Sequence, residues 1–104
     1  MRMMLRVNLA TERANALARA GKLSSTIRSI LDDLKPEAAY FVADEGQRTG
    51  FLFINVADSS EIPRIAEPWF LALDAEVDLR PVMNTDDLAK AAAHIDQAAR
   101  KYGA

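Results

Sequence analysis

Cysteine is absent from these 104 residues, which removes disulfides, thiolate nucleophiles and cysteine-type zinc or iron–sulfur sites together. A single histidine, His94, leaves a His-rich metal site without ligands, and no metal is expected. No apolar run approaches the 18 or so residues a membrane span requires. Met1 to Val7 is interrupted by Arg2 and Arg6, which makes it too short and too charged for a signal-peptide apolar region. The expectation is a cytoplasmic protein with no membrane partner. Charge of one sign is scarce too: the net charge is −2 and the pI near 5.3, which makes nucleic acid an unlikely partner. Phosphate-cradling loops, G-x-S-x-G, H-E-x-x-H and dinucleotide fingerprints are all missing, so no cofactor is expected.

What is present is half hydrophobic and fits one domain spanning residues 1–104. A chain of this size should bury roughly 65% of the surface its unfolded form exposes, enough for a core without staples. Its charge is unevenly placed. Residues 1–35 carry seven basic and three acidic side chains, whereas residues 36–104 carry six and twelve. Such asymmetry suits cross-strand pairing or self-association, or is simply a solvated imbalance.

Met3, Leu5, Val7 and Leu9 alternate with Met4, Arg6 and Asn8, the pattern of a half-buried strand. Thr11 reads as a helix N-cap with Glu12 in the first turn. A helical stretch then runs to Leu34, with Gly21 as a possible break and Lys35-Pro36 as its end. Ala38 to Ala43 and Phe51 to Ala57 form a hairpin about the turn segment from Asp44 to Gly50. Asp58 or Ser59, with Glu61, makes a capping box for a second helix with the stripe Ile62, Ile65, Ala66, Trp69 and Leu73. Pro63 suits its first turn, whereas Pro68 must kink or shorten it. Trp69 is expected to anchor the core or, alternatively, to line a cavity. A fourth strand runs from Ala75 to Val82, with Pro81 marking an edge. Thr85-Asp86-Asp87 caps a last helix with the stripe Leu88, Ala92, Ile95, Ala99 and Tyr102. Asp86 and Asp87 complement its dipole, and Asp32-Asp33 reads as a solvated face.

The order βαββαβ plus a C-terminal helix predicts an α+β, ferredoxin-like sandwich with a four-stranded antiparallel sheet. Its first and third strands are central, and helices cover one face. The uncovered face collects Met4, Arg6 and Asn8; Tyr40 and Val42; Phe51, Phe53 and Asn55; and Glu76, Asp78, Arg80 and Val82. That mixture is too apolar for bare solvent and too polar for a sealed core. It marks an interface or a ligand cavity.

Element order, length and this mixed face resemble the dimeric α+β barrel proteins, a superfamily that includes muconolactone isomerase and antibiotic-biosynthesis monooxygenases. The segments Lys35-Pro36-Glu37-Ala38-Ala39-Tyr40-Phe41 and Ile62-Pro63-Arg64-Ile65-Ala66-Glu67-Pro68-Trp69-Phe70 resemble signatures of an uncharacterised bacterial family within it. The resemblance implies a homodimer whose sheets pack face to face around a cavity, and it transfers no catalytic residue. Gly50-Phe51-Leu52-Phe53-Ile54-Asn55-Val56 resembles the third-strand motif of RNA-recognition modules. Thr49 stands where that motif has a basic residue, Val56 replaces its last aromatic, and the first strand supplies no aromatic.

Two sets of residues follow as site candidates. Arg6, Asn8, Tyr40, Phe51, Phe53 and Asn55 are ligand-binding candidates, and the same polar groups could instead satisfy one another or water at a dimer interface. Asp78, Arg80 and His94 are the candidates for moving protons. The plainer reading of Arg6 with Glu76 or Asp78 is a cross-strand ion pair that fixes register, and that of His94 is a partly exposed helix residue. Three functions remain open: a small-molecule-binding domain, a cofactor-free isomerase or monooxygenase, and a pure dimerisation module.

Overall fold

A computed structural model describes residues 1–104. Strand β1 (Arg2–Asn8) leads into helices α1 (Thr11–Arg19) and α2 (Leu23–Leu34). The hairpin β2 (Ala38–Asp44) and β3 (Gln47–Asn55) follows. A single turn of tighter helix at Ser59–Glu61 then opens α3 (Ile62–Leu73), and β4 (Glu76–Pro81) and α4 (Thr85–Tyr102) complete the chain.

The four strands form one sheet in the order β2-β3-β1-β4, with every neighbouring pair antiparallel. This is an α+β fold compatible with the ferredoxin-like arrangement. Pro81 lies on edge strand β4, where a missing amide costs little. The alternation in β1 divides the sheet as expected. Met3, Leu5 and Val7 pack with Leu52 and Ile54 against Ala14, Ile30, Leu34, Ile65, Trp69 and Leu73 of α1–α3. Trp69 is completely buried, as a core anchor should be, although its indole N–H finds no acceptor.

Local chemistry departs from the sequence reading in three places. Thr11 is the first residue of α1 and not its cap; Ala10 takes that position without a side-chain bond. Asn84 caps α4, its Oδ1 accepting from the Asp87 amide at 2.8 Å while Asp87 accepts from the Asn84 amide at 3.1 Å. A short polar side chain one residue earlier reaches the third helical amide, so Thr85 is left inside the helix. The hairpin turn is two residues, not seven. Glu45 and Gly46 both have positive φ (54° and 75°), as a tight twisted hairpin requires, so β3 pairs from Gln47 onward. Pro68 lies inside α3, which runs to Leu73, the last residue of the expected stripe.

Gly21 does divide the first helical stretch, with φ of 71° between α1 and α2. Asp58 caps the turn before α3, and Glu61 closes the reciprocal box.

The largest departure is α4. None of its residues is buried, and Leu88, Ile95 and Tyr102 are 48%, 57% and 76% exposed. The molecule measures 60 × 28 × 20 Å, and a nine-residue strand spans only about 30 Å, so α4 extends beyond the body.

Candidate functional site

The face of the sheet opposite α1–α3 is uncovered. Strand register puts Met4, Arg6 and Asn8 opposite Phe53, Phe51 and Thr49 of β3. On the other side of β1, the same three residues face Arg80, Asp78 and Glu76 of β4. Tyr40 and Val42 of β2 lie opposite Phe51 and Thr49. All the sheet candidates thus share one face, and the phase expected for β2 holds. Tyr40 and Val42 are exposed, while Phe51 and Phe53 are half-buried.

At the hairpin end this face is polar. The Asn8 amide donates to the Thr49 hydroxyl at 2.8 Å, and both residues are buried. Thr49 donates in turn to the Gln47 carbonyl at 3.2 Å. The Arg6 guanidinium reaches diagonally across β3 and donates from Nε and Nη2 to Asp44 Oδ2 at 3.3 and 3.0 Å. Glu45 Oε2 lies 3.7 Å from Arg6 Nη2.

This corrects the expected Arg6 partner. Asp78 sits directly opposite Arg6 in the ladder, yet the guanidinium turns to the hairpin, where two carboxylates converge. The hydrogen bond that Arg6 donates to Asp44 does most to hold the Arg6 pKa above its usual value, and Asp78 contributes least. Sequence reasoning assigned Asp44 to the turn and passed over Thr49 as a binding residue. The signal was present: Gln47, Thr49, Phe51, Phe53 and Asn55 alternate without a break once the turn is shortened to Glu45-Gly46.

The opposite end of the face opens into a cleft of about 570 Å³ lined by Arg2, Glu37, Asn55, Val82, Met83 and Asp87 among others. Arg2 is ion-paired with Glu37 and lies 3.8 Å from Asp87 at the start of α4. Its hydrogen bond holds the Glu37 carboxyl below the usual glutamate range. Asn55 is at this end, bonded through Oδ1 to the Met1 ammonium at 2.9 Å, and so is separated from Arg6 and Asn8. Asp78 and Arg80 are exposed on β4, whereas His94 is exposed on α4. Asp78 and Arg80 thus share one face of β4, while His94 lies on a different element. No helix of the chain is long and apolar enough to cross a membrane.

No family model matches the chain, and no curated protein matches it either. Solved structures similar to it include the two that follow. The de novo designed protein Ferredog-Diesel shares 12% identity over 78% of this chain and 85% of its own, with a TM-score of 0.45. A formyltetrahydrofolate deformylase from Pseudomonas putida KT2440 shares 10% identity, also with a TM-score of 0.45. That match covers 78% of this chain and 28% of the deformylase. The architecture described above rests on strand order and register alone.

Proposed function

We propose that this chain is a small-molecule-binding domain that works as a homodimer, with the ligand held between the open sheet face and a second copy. One observation carries the reading. A sheet face with no helix over it sets buried, hydrogen-bonding Asn8 and Thr49 and the Arg6 guanidinium beside Tyr40, Phe51 and Phe53. Water-facing sheets are normally lined by charges and short polar groups. A few directed polar groups among aromatics is instead the make-up of a binding surface. Its ligand would have an apolar, planar body and a polar group directed at the Asn8 end. Two sheets facing one another would close this cavity, and so would the projecting helix α4.

The second reading is a pure dimerisation module, favoured by the apolar stripe of α4 that nothing in the chain covers. RNA binding is disfavoured by the carboxylates of Asp44, Glu45, Glu76 and Asp78 around the face, which repel phosphate.

Sedimentation equilibrium followed by a crystal structure of the assembly separates these readings. A dimer with Arg6, Asn8 and Asp78 lining a closed void supports the binding domain. A dimer in which those groups pair across the interface and leave no void supports the module alone. A monomer overturns both and revives the RNA reading.

A further inference from the structure

The chain exposes two surfaces that water should not cover, and they match. One is the apolar stripe of α4, with Leu88, Ile95 and Tyr102 all about half exposed or more. The other is the open sheet face, where Tyr40 is 64% and Val42 is 45% exposed. Eighteen residues of helix span about 27 Å, close to the length of the nine-residue strand β3.

We infer that α4 is an exchanged arm: in the dimer, each copy's α4 lies across the open sheet face of the other. The inference rests on the reading that a second copy covers this face, and it names α4 as the covering element.

Three features support the second copy as the occupant. First, α4 is aimed away from its own sheet. Only Val82, Met83 and Asn84 connect it to β4, and the first of these is tied to β1. The Val82 amide donates to the Arg2 carbonyl at 3.2 Å, and Asn84 is locked in the capping box with Asp87, which also faces Arg2. Folding back onto the same sheet would swing Asp87 away from Arg2 and pull on the Val82–Arg2 bond.

Second, the direction fits a two-fold exchange. α4 begins at the end of the sheet that carries Arg2 and Asn55. Two copies with these ends adjacent would each send α4 along the other's open face towards its hairpin. One operation then covers both stripes and both faces, as in reciprocal domain swapping.

Third, the charges agree with that polarity. The starting end of the face carries Arg80, which would meet Asp86 in the first turn of the incoming α4. The hairpin end carries Asp44, Glu45 and Glu76, which would meet Arg100 and Lys101 in the last turn. At 1.5 Å per residue, Ile95 would fall near the middle of the face, over Phe51 and Tyr40.

The chain has no native cysteine, so the test is direct. The parent chain and an Ile95→Asp variant are compared by sedimentation equilibrium. Separately, Tyr40→Cys and Ile95→Cys chains are mixed and treated with a short bis-maleimide. Both positions are exposed, so folding of the body should not be at stake. The expected result is a parent of twice the chain mass, a two-fold drop in mass for Ile95→Asp, and bridged dimers that require both cysteine variants. A dimer that survives Ile95→Asp, with bridges in the Tyr40→Cys preparation alone, overturns the arm and leaves a sheet-to-sheet dimer standing. A monomeric parent whose Tyr40→Cys/Ile95→Cys double variant bridges within one chain shows α4 folded back, and overturns the inference. A monomeric parent with no bridge overturns the dimer as well.

Discussion

Asn8 and Thr49 face each other across β1 and β3 on the side of the sheet that no helix covers, joined by a 2.8 Å hydrogen bond while both are buried. They lie beside the hairpin, where Arg6 is bonded to Asp44. The Asn8 amide also reaches the Asp44 carbonyl at 3.5 Å. A buried amide that loses its acceptor is costly, whereas an apolar pair of similar shape is tolerated. Thr49→Val should therefore destabilise by about 1–3 kcal/mol. Adding Asn8→Leu should recover much of that loss. Urea denaturation of the two variants checks the order, and a double variant worse than Thr49→Val would sink it.

Gly50 is small for a packing reason and not for its backbone angle. A Cβ there would stand 2.9 Å from Phe41 Cε1 and 3.0 Å from Val7 Cγ2, because the Phe41 ring lies across its cross-strand glycine. Gly50→Ala should cost about 1–3 kcal/mol through overpacking. Phe41→Ala in the same chain removes the nearer obstacle, so the double variant should lose less than the two single losses added together. Strict additivity in thermal unfolding would show that the ring is not the obstruction.

Three carboxylates tie stability to pH. Arg2 lowers the Glu37 pKa, and the Ser60 amide lowers that of Asp58. Glu61 is lowered first by the Ala57 amide and next by Arg64. All three bind protons more readily unfolded than folded, so their contribution is complete above the ordinary carboxylate pKa of about 4. It fades as pH falls from there through the lower folded values. Stability should be level from neutrality down to about pH 5 and decline below it. Asp58→Asn with Glu61→Gln should flatten the decline in denaturation midpoints, and an unchanged slope would count against the capping box as its source.

Trp69, the single tryptophan, reports on the body and not on α4, since it is fully buried among α1–α3 and the sheet. A chain ending at Met83 loses no buried residue. It should keep the short-wavelength emission of a buried indole and unfold cooperatively, with the body's stability changed by less than about 1 kcal/mol at high dilution. Emission at long wavelength before any denaturant is added would mean that α4 is part of the fold after all.

Much of this molecule is legible in its sequence. Alternation in β1 and β4, the break at Gly21, the stop at Lys35-Pro36 and the edge position implied by Pro81 all follow from local backbone and side-chain rules, which act within a few residues. The composition of the open face was legible for the same reason: period two assigns each strand residue a side. The β3 start, the cap of α4 and the partner of Arg6 were not. A two-residue turn and a seven-residue turn share the same letters, and Asn84 and Thr85 are both competent caps.

The sequence by itself determined which residues share a face, because alternation and helical periodicity are properties of the chain. Only the tertiary structure decided what those faces meet. Whether Arg6 turns to Asp78 or Asp44 depends on a carboxylate brought close across β3 from a strand that does not pair with β1. Periodicity also marked the stripe on α4, yet an amphipathic helix reads the same whether its apolar side is covered or bare. Its direction of departure, held where Val82 and Asp87 meet Arg2, left that stripe and the open sheet face both without cover.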